Sequence, residues 1–250
     1  MGHRHKFGHM DTGTAVDYQR LCDLVAQMED LRGLLNGVTD LTAASMTNRA
    51  GVRVECAVTL HRRRRPATAG GSDDEAVMLG SEGQRVGGPG LAAIRTGKPA
   101  VVNSPAEISW SAFAQELSAS SFDSALAIPL DLGPSASAAI NLFAVRPGIF
   151  TEETIRDGQQ FADMAARALR MGLRIAEAEL KASDLDAAMT HRTVINMAQG
   201  IIMAENRCSD EQAFTVLKKA SSTRNQKLHE VARAVVGGIT DVIPHTYFEH

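Results

Sequence analysis

The spacing of apolar residues changes several times along the chain, and each change predicts an element. Between Val16 and Leu35, Tyr18, Leu21, Cys22, Val25, Met28, Leu31, Leu34 and Leu35 recur at helical intervals, and Asp40–Thr47 continues as helix with Leu41, Ala43 and Ala44 inward. From Gly51 to Arg62 the period drops to two. Val52, Val54, Cys56, Val58 and Leu60 alternate with Arg53, Glu55, Ala57 and Thr59, as in a half-buried strand. Cys56 falls on the apolar side and reads as a core residue. A second strand is predicted over Thr68–Leu79, interrupted by a turn at Gly70–Asp74. Gly87-Gly88-Pro89-Gly90 introduces a helix over Leu91–Thr96, Gly97-Lys98-Pro99 closes it, and Ala100–Asn103 is a short strand. Trp110, Phe113 and Leu117 share one side of another short helix. Phe122–Pro129 and Ser137–Val145 are strands separated by a turn at Gly133–Ala136.

Thr151 is an N-cap with Glu152 and Glu153 in the first turn, where carboxylates suit the helix dipole. No proline follows until beyond Asn206, so one long helix is predicted. Ala162, Ala166, Leu169, Leu173, Ala176, Leu180, Ser183 and Ala187 recur by four and three, the spacing of a coiled-coil seam, weak because it is rich in alanine. Further along the same helix, Met189, Ile195, Ala198 and Ile202 form an apolar side, and Arg192, Asn196, Gln199 and Met203 form a second line that holds a cation and two amides, hydrogen-bonding rather than core groups. Ser209-Asp210-Glu211-Gln212 reads as a capping box opening a second helix with Ala213, Phe214, Leu217 and Ala220 buried. Ser221–Asn225 reads as a loop. Leu228, Val231, Ala232, Val235 and Ile239 mark a third helix, ended by Gly237-Gly238 or Pro244.

The last three helices resemble the ANTAR domain, the RNA-binding module of bacterial transcription antitermination regulators. The likeness is carried by the run from Arg192 through Asn196 and Gln199 to Met203, then Ala213-Phe214, Leu217 and Ala220. Gln199 departs from the pattern, since many members have Lys there. The preceding region resembles a GAF domain, a small-molecule-sensing and dimerising fold. That likeness lies in Gly90-Leu91-Ala92, Lys98–Val102, Ser124–Leu130, Ala139–Phe143, Phe150-Thr151 and Phe161-Ala162. Together they imply an α+β chain: a GAF-like antiparallel sheet with flanking helices, a long connecting helix or coiled coil, and a C-terminal three-helix ANTAR module. The expected division is a disordered leader or tag remnant over 1–12, the sensory domain over 13–165, a coiled-coil connector over 166–183 and the RNA-binding domain over 184–245. His3, His5 and His9 fall in that leader and are left out of the fold.

Charge qualifies this picture. The net charge is −3 with a pI near 6.2. From Ser183 to Pro244 seven cations face seven anions, so composition alone does not announce a nucleic-acid footprint, and only placement of the cations could supply one. The run Arg62–Arg65 could touch RNA, but reads better as a solvated hairpin loop. Three scattered cysteines argue for a reducing compartment without a disulfide framework, and no apolar run reaches the length of a membrane span, so a cytoplasmic protein is expected.

No catalytic or metal-binding constellation is recognisable, so neither enzyme activity nor a cofactor is expected; His61, His191, His229 and His245 are scattered in sequence. The long connecting helix predicts a parallel or bundled homodimer, the alternative being a helix packed only on its own GAF-like domain, and what the ANTAR resemblance implies is binding of hairpin RNA in nascent transcripts to promote antitermination. Arg192, Asn196 and Gln199 would touch loop bases and backbone, and Lys218, Lys219, Arg224 and Lys227 would hold phosphates. An unidentified small-molecule ligand would act at the GAF-like domain. The alternative is a sensory dimer whose last helices bind a protein. Helix-turn-helix binding to DNA fits less well, because Phe214 and Leu217 are expected in the core of the second helix.

Overall fold

A computed structural model describes residues 12–104, 106 and 110–238. The leader around His3, His5 and His9, together with Ile239, Pro244 and His245, lies outside the described residues. The elements run α1 (Thr12–Ala26), α2 (Leu31–Ala50), β1 (Val54–Arg62), β2 (Thr68–Gly71), α3 (Asp74–Val86), α4 (Pro89–Thr96), β3 (Ala100–Val102), α5 (Ser111–Ser118), β4 (Ser124–Leu130), β5 (Ala136–Ala144), α6 (Glu152–Asn206), α7 (Asp210–Arg224) and α8 (Leu228–Gly237). They fall into two units, 1–176 and 177–250.

The first unit is an antiparallel five-stranded sheet, ordered β2-β1-β5-β4-β3, with helices against it, as the GAF resemblance implied. Alternation along the strands sorts two faces. Val58, Leu60, Leu126, Ile128, Ile140 and Leu142 share one buried cluster with Leu34, Leu35, Val38 and Met46 of α2 and with Phe161, Ala165 and Leu169 of α6. Cys56 is fully buried there, and burial pushes its thiol well above the usual range, so it is an inert core group. The opposite face carries Ala57, Ala125 and Phe143 against Leu79, Phe113 and Leu117, and Ala127 and Ala139 against Ala93.

Three expectations in this unit change. The helix predicted over Val16–Leu35 breaks after Ala26, because the Asp30 side chain accepts from the Gly33 N–H and starts α2 afresh. The second strand stops at Gly71, and the rest of Thr68–Leu79 is helical. Asp73 accepts from the N–H groups of Glu75 and Ala76, Asp74 and Glu75 occupy the first turn of α3, and Ala76, Leu79, Gly80 and Gly83 face inward at helical spacing.

The third change concerns the proposed seam. Ala162, Ala166, Leu169 and Leu173 are buried within the sheet unit, so the first half of that stripe is used up by the chain's own core, and the first unit extends past the expected boundary at 165. The two glycines of this stretch have a packing reason. A Cβ on Gly158 would lie 2.7 Å from Ile128, and one on Gly172 would run into Leu34.

A polar cleft of about 520 Å³ opens beside α2 and β1, lined among others by Asp40, Thr47, Arg53, Glu55 and Ser72. Burial, and then the charge of Glu55, raise the Asp40 carboxyl above its ordinary value. Among the described residues, no helix is long and apolar enough to cross a membrane.

Candidate nucleic-acid interface

The second unit is built on its own small core: Val194, Ala198 and Ile202 of α6, Ala213 and Leu217 of α7, and Val231, Ala232 and Val236 of α8. Met189 and Phe214, which the periodicity placed inside, are 40% and 39% exposed. Val194 takes the inward position on α6, and Phe214 lies a residue, or about 100°, around α7 from Ala213.

The joints are locally determined. Arg207 adopts a left-handed conformation at φ 51°, and the Asn206 amide donates to the Ile202 carbonyl. The predicted capping box is complete. The Ser209 hydroxyl accepts from the Gln212 N–H at 3.3 Å, and the Gln212 carbonyl oxygen accepts from the Ser209 N–H at 3.0 Å. Ser209→Ala should therefore destabilise this unit by about 1 kcal/mol, read as an earlier unfolding transition. Helix α7 runs on through Ser221–Arg224, expected as loop, until Asn225 turns left-handed at φ 50°. The Lys227 N–H then donates to the Glu230 carboxylate at the start of α8.

On this frame Arg192 and Asn196 are exposed one turn apart, turned away from the Val194–Ala198–Ile202 side. Lys218, Lys219, Arg224 and Lys227 are exposed as well. Among the described residues, every ion pair lies in the sheet unit, at Arg49, Arg53, Arg85 and Arg170. The cations of the three-helix unit are thus matched in number by carboxylates but not neutralised by them in space. Asp210 and Glu230 are occupied with Gln199 and the Lys227 N–H.

Gln199 differs from its expected role. It is only 8% exposed, and its amide donates to Asp210 Oδ1 at 2.7 Å, tying α6 to the first turn of α7. A lysine at this position would meet the same carboxylate, which gives the departure from the family pattern a structural meaning.

The histidines are less scattered than their sequence positions. His191 of α6 and His229 of α8 stack with ring centroids 3.7 Å apart and planes 10° from parallel. Desolvation lowers the His229 pKa first, then His191, Lys227 and Arg233 add to the lowering, and Glu230 opposes it. A histidine whose folded pKa is depressed contributes stability above its unfolded value, near 6.5, and loses it as pH falls through the lower folded value. Amide exchange in α8 should accelerate as pH drops through this window, after correction for intrinsic rates. His229→Gln should flatten that response.

Residues 183–236 match the ANTAR domain. This part of the chain is an ANTAR domain. No curated protein matches the sequence. Similar solved structures include the phycoerythrobilin-bound GAF domain of a cyanobacterial phytochrome, at 13% identity and TM-score 0.45, covering 67% of this chain and all of that one. A second is an N-acylhomoserine-lactone-dependent LuxR-family transcription factor from Burkholderia cenocepacia, at 16% identity and TM-score 0.46, covering 66% and 99%. A third is the GAF domain of an Acinetobacter phosphoenolpyruvate-protein phosphotransferase, at 13% and 0.44, covering 64% and 94%. In the ANTAR domain the matched segment takes in Arg192, Asn196, Lys218, Lys219, Arg224 and Lys227, and the stacked histidines.

Proposed function

We propose that this protein is a cytoplasmic, non-catalytic regulator that binds a stem–loop in nascent RNA through its ANTAR domain. Holding the stem–loop keeps a terminator from forming, and a signal received by the sheet unit controls the grip. The observation that carries the reading is the exposed Arg192–Asn196 pair, accompanied by four further exposed cations that pair with no carboxylate among the described residues. An amide and a guanidinium a turn apart suit unstacked loop bases, and the lysines suit phosphates. Phe214 joins this set. Its exposed ring has Lys218 one turn on, and a flat aromatic face beside a cation suits an unpaired base.

The working form is a homodimer. Every residue from 177 to 189 of α6 is exposed, and an unsupported helical stretch of that length is marginal in water. Met171, Ile175, Ala178, Ala182, Leu185 and Met189 recur at intervals of four and three and are all exposed. This is the pattern of a two-stranded seam, in a register other than the stripe through Ala162 and Leu173. Continued by three and four residues, the same line reaches Arg192 and Asn196, so the apolar seam gives way to RNA-contacting groups.

The second reading, a protein partner for the last helices, draws on exposed Phe214 and Val216. Filter binding at physiological salt, with a stem–loop pool against an unstructured polymer, separates the two. Preference for the stem–loop is expected, and equal or absent retention of both would remove the RNA reading.

A further inference from the structure

The densest positive charge in the molecule lies outside the ANTAR domain. Arg62, Arg63, Arg64 and Arg65 occupy the end of β1 and the turn to β2. The turn is ordered by its backbone: the Arg65 N–H donates to the Arg62 carbonyl, and the Arg63 N–H donates to the Ser135 carbonyl, both at 3.3 Å. Arg62 Nη2 donates to the Thr68 hydroxyl at 3.2 Å, and Arg63, Arg64 and Arg65 are exposed. Among the described residues none of the four pairs with a carboxylate, and Asp131, in the adjoining β4–β5 turn, is already held by Arg170 at 3.1 Å. Arg64 has φ 60°, a conformation that usually goes to Gly or Asn.

We propose that this arginine turn is a second RNA contact, binding the phosphate backbone of single-stranded transcript that flanks the stem–loop. The inference rests on the RNA reading above for its biological sense. Four adjacent like charges repel one another, and a turn that had only to be soluble would have no need of them. All four are arginine, whose planar fork grips phosphate oxygens in pairs. The ANTAR domain also leaves this role open: its cations are matched in number by anions, so its net field draws RNA in little from a distance, which a cluster of four arginines would add. A lipid surface fits less well, because the turn is followed by Pro66 and Ala67 and presents no large apolar group to insert.

The test uses the full chain and three probes: the stem–loop alone, the stem–loop with long single-stranded flanks, and polyuridine. Arg63, Arg64 and Arg65 are changed together to Gln, with Lys at the same three positions as a control, and unchanged melting confirms folding. The Gln variant should bind the bare stem–loop as before. It should lose about tenfold in affinity for the flanked RNA, and its log–log salt slope should fall by about two, three phosphates at about 0.7 each. Polyuridine binding should disappear, and the Lys variant should recover most of the slope. An unchanged slope on flanked RNA overturns the proposal. So does a turn that retains polyglutamate or anionic vesicles while polyuridine passes. Should the chain ignore stem–loops altogether, the ANTAR reading falls, and the polyuridine arm still decides the arginine turn.

Discussion

Replacing Arg192 by Ala should weaken stem–loop binding by roughly ten- to a hundredfold, the usual loss when a guanidinium that reads a base is removed. The melting curve should not move. Arg192 is exposed, makes no ion pair among the described residues and faces away from the Val194–Ala198–Ile202 core, and substitutions at such sites leave stability within about half a kcal/mol. Arg192→Lys keeps the charge but loses the fork, and should fall between wild type and the alanine variant. Lys218→Ala should instead lower the salt slope by about one unit and weaken all RNAs alike. Titration of labelled stem–loop RNA at two salt concentrations separates these effects. Equal affinity of wild type and the Arg192 variant would take the site away from this face of α6.

Arg192 and Lys218 are legible in the amino-acid sequence, and so are the elements that carry them, for local reasons. The Ser209–Gln212 box and the Thr151 start of α6 are each decided by neighbours within a few positions, and each is found as read, whereas β1, read as half-buried, is covered on both faces, with Ala57 and Thr59 buried as well as Cys56 and Val58. Differences arise where a choice depends on distant partners. A seven-residue repeat on α6 offers more than one stripe, and only the sheet decides which is buried. Ala162 to Leu173 go into the core, and the line from Met171 to Met189 stays exposed.

Gln199 resembles a contact residue because its line also holds Arg192 and Asn196, and nothing in the spacing shows that Asp210 of the next helix claims its amide. His191 and His229, 38 residues apart in the sequence, meet only when α8 closes on α6. Helix α3 is a different kind of miss. Its signals, Asp73 as cap and two carboxylates in the first turn, are present in the sequence, but the preceding glycine turn favours a hairpin reading.

The largest quaternary effect is expected from Leu185→Asp combined with Met189→Asp, which should turn the proposed dimer into a monomer. Leu185 is 63% and Met189 40% exposed on the single chain, so neither contributes much to the fold of its own unit. In a symmetric seam both would be covered, twice over. Fully burying a side chain of this size is worth about 1.5–3 kcal/mol, and with 63% of Leu185 and 40% of Met189 left to cover on each chain the loss comes to roughly 3–6 kcal/mol, or about two to four powers of ten in dissociation constant. The introduced carboxylates would add repulsion across the axis, since equivalent seam positions face one another.

Light scattering should then report the 26.7 kDa chain alone, where a wild type paired as proposed should give twice that mass. Leu180→Asp supplies the control. Leu180 belongs to the stripe that runs through Leu169 and Leu173, and changing it should leave the dimer intact. Loss of the dimer in the Leu180 variant with its survival in the Leu185–Met189 variant would reverse the register, and a wild-type protein already monomeric at micromolar concentration would remove the seam altogether.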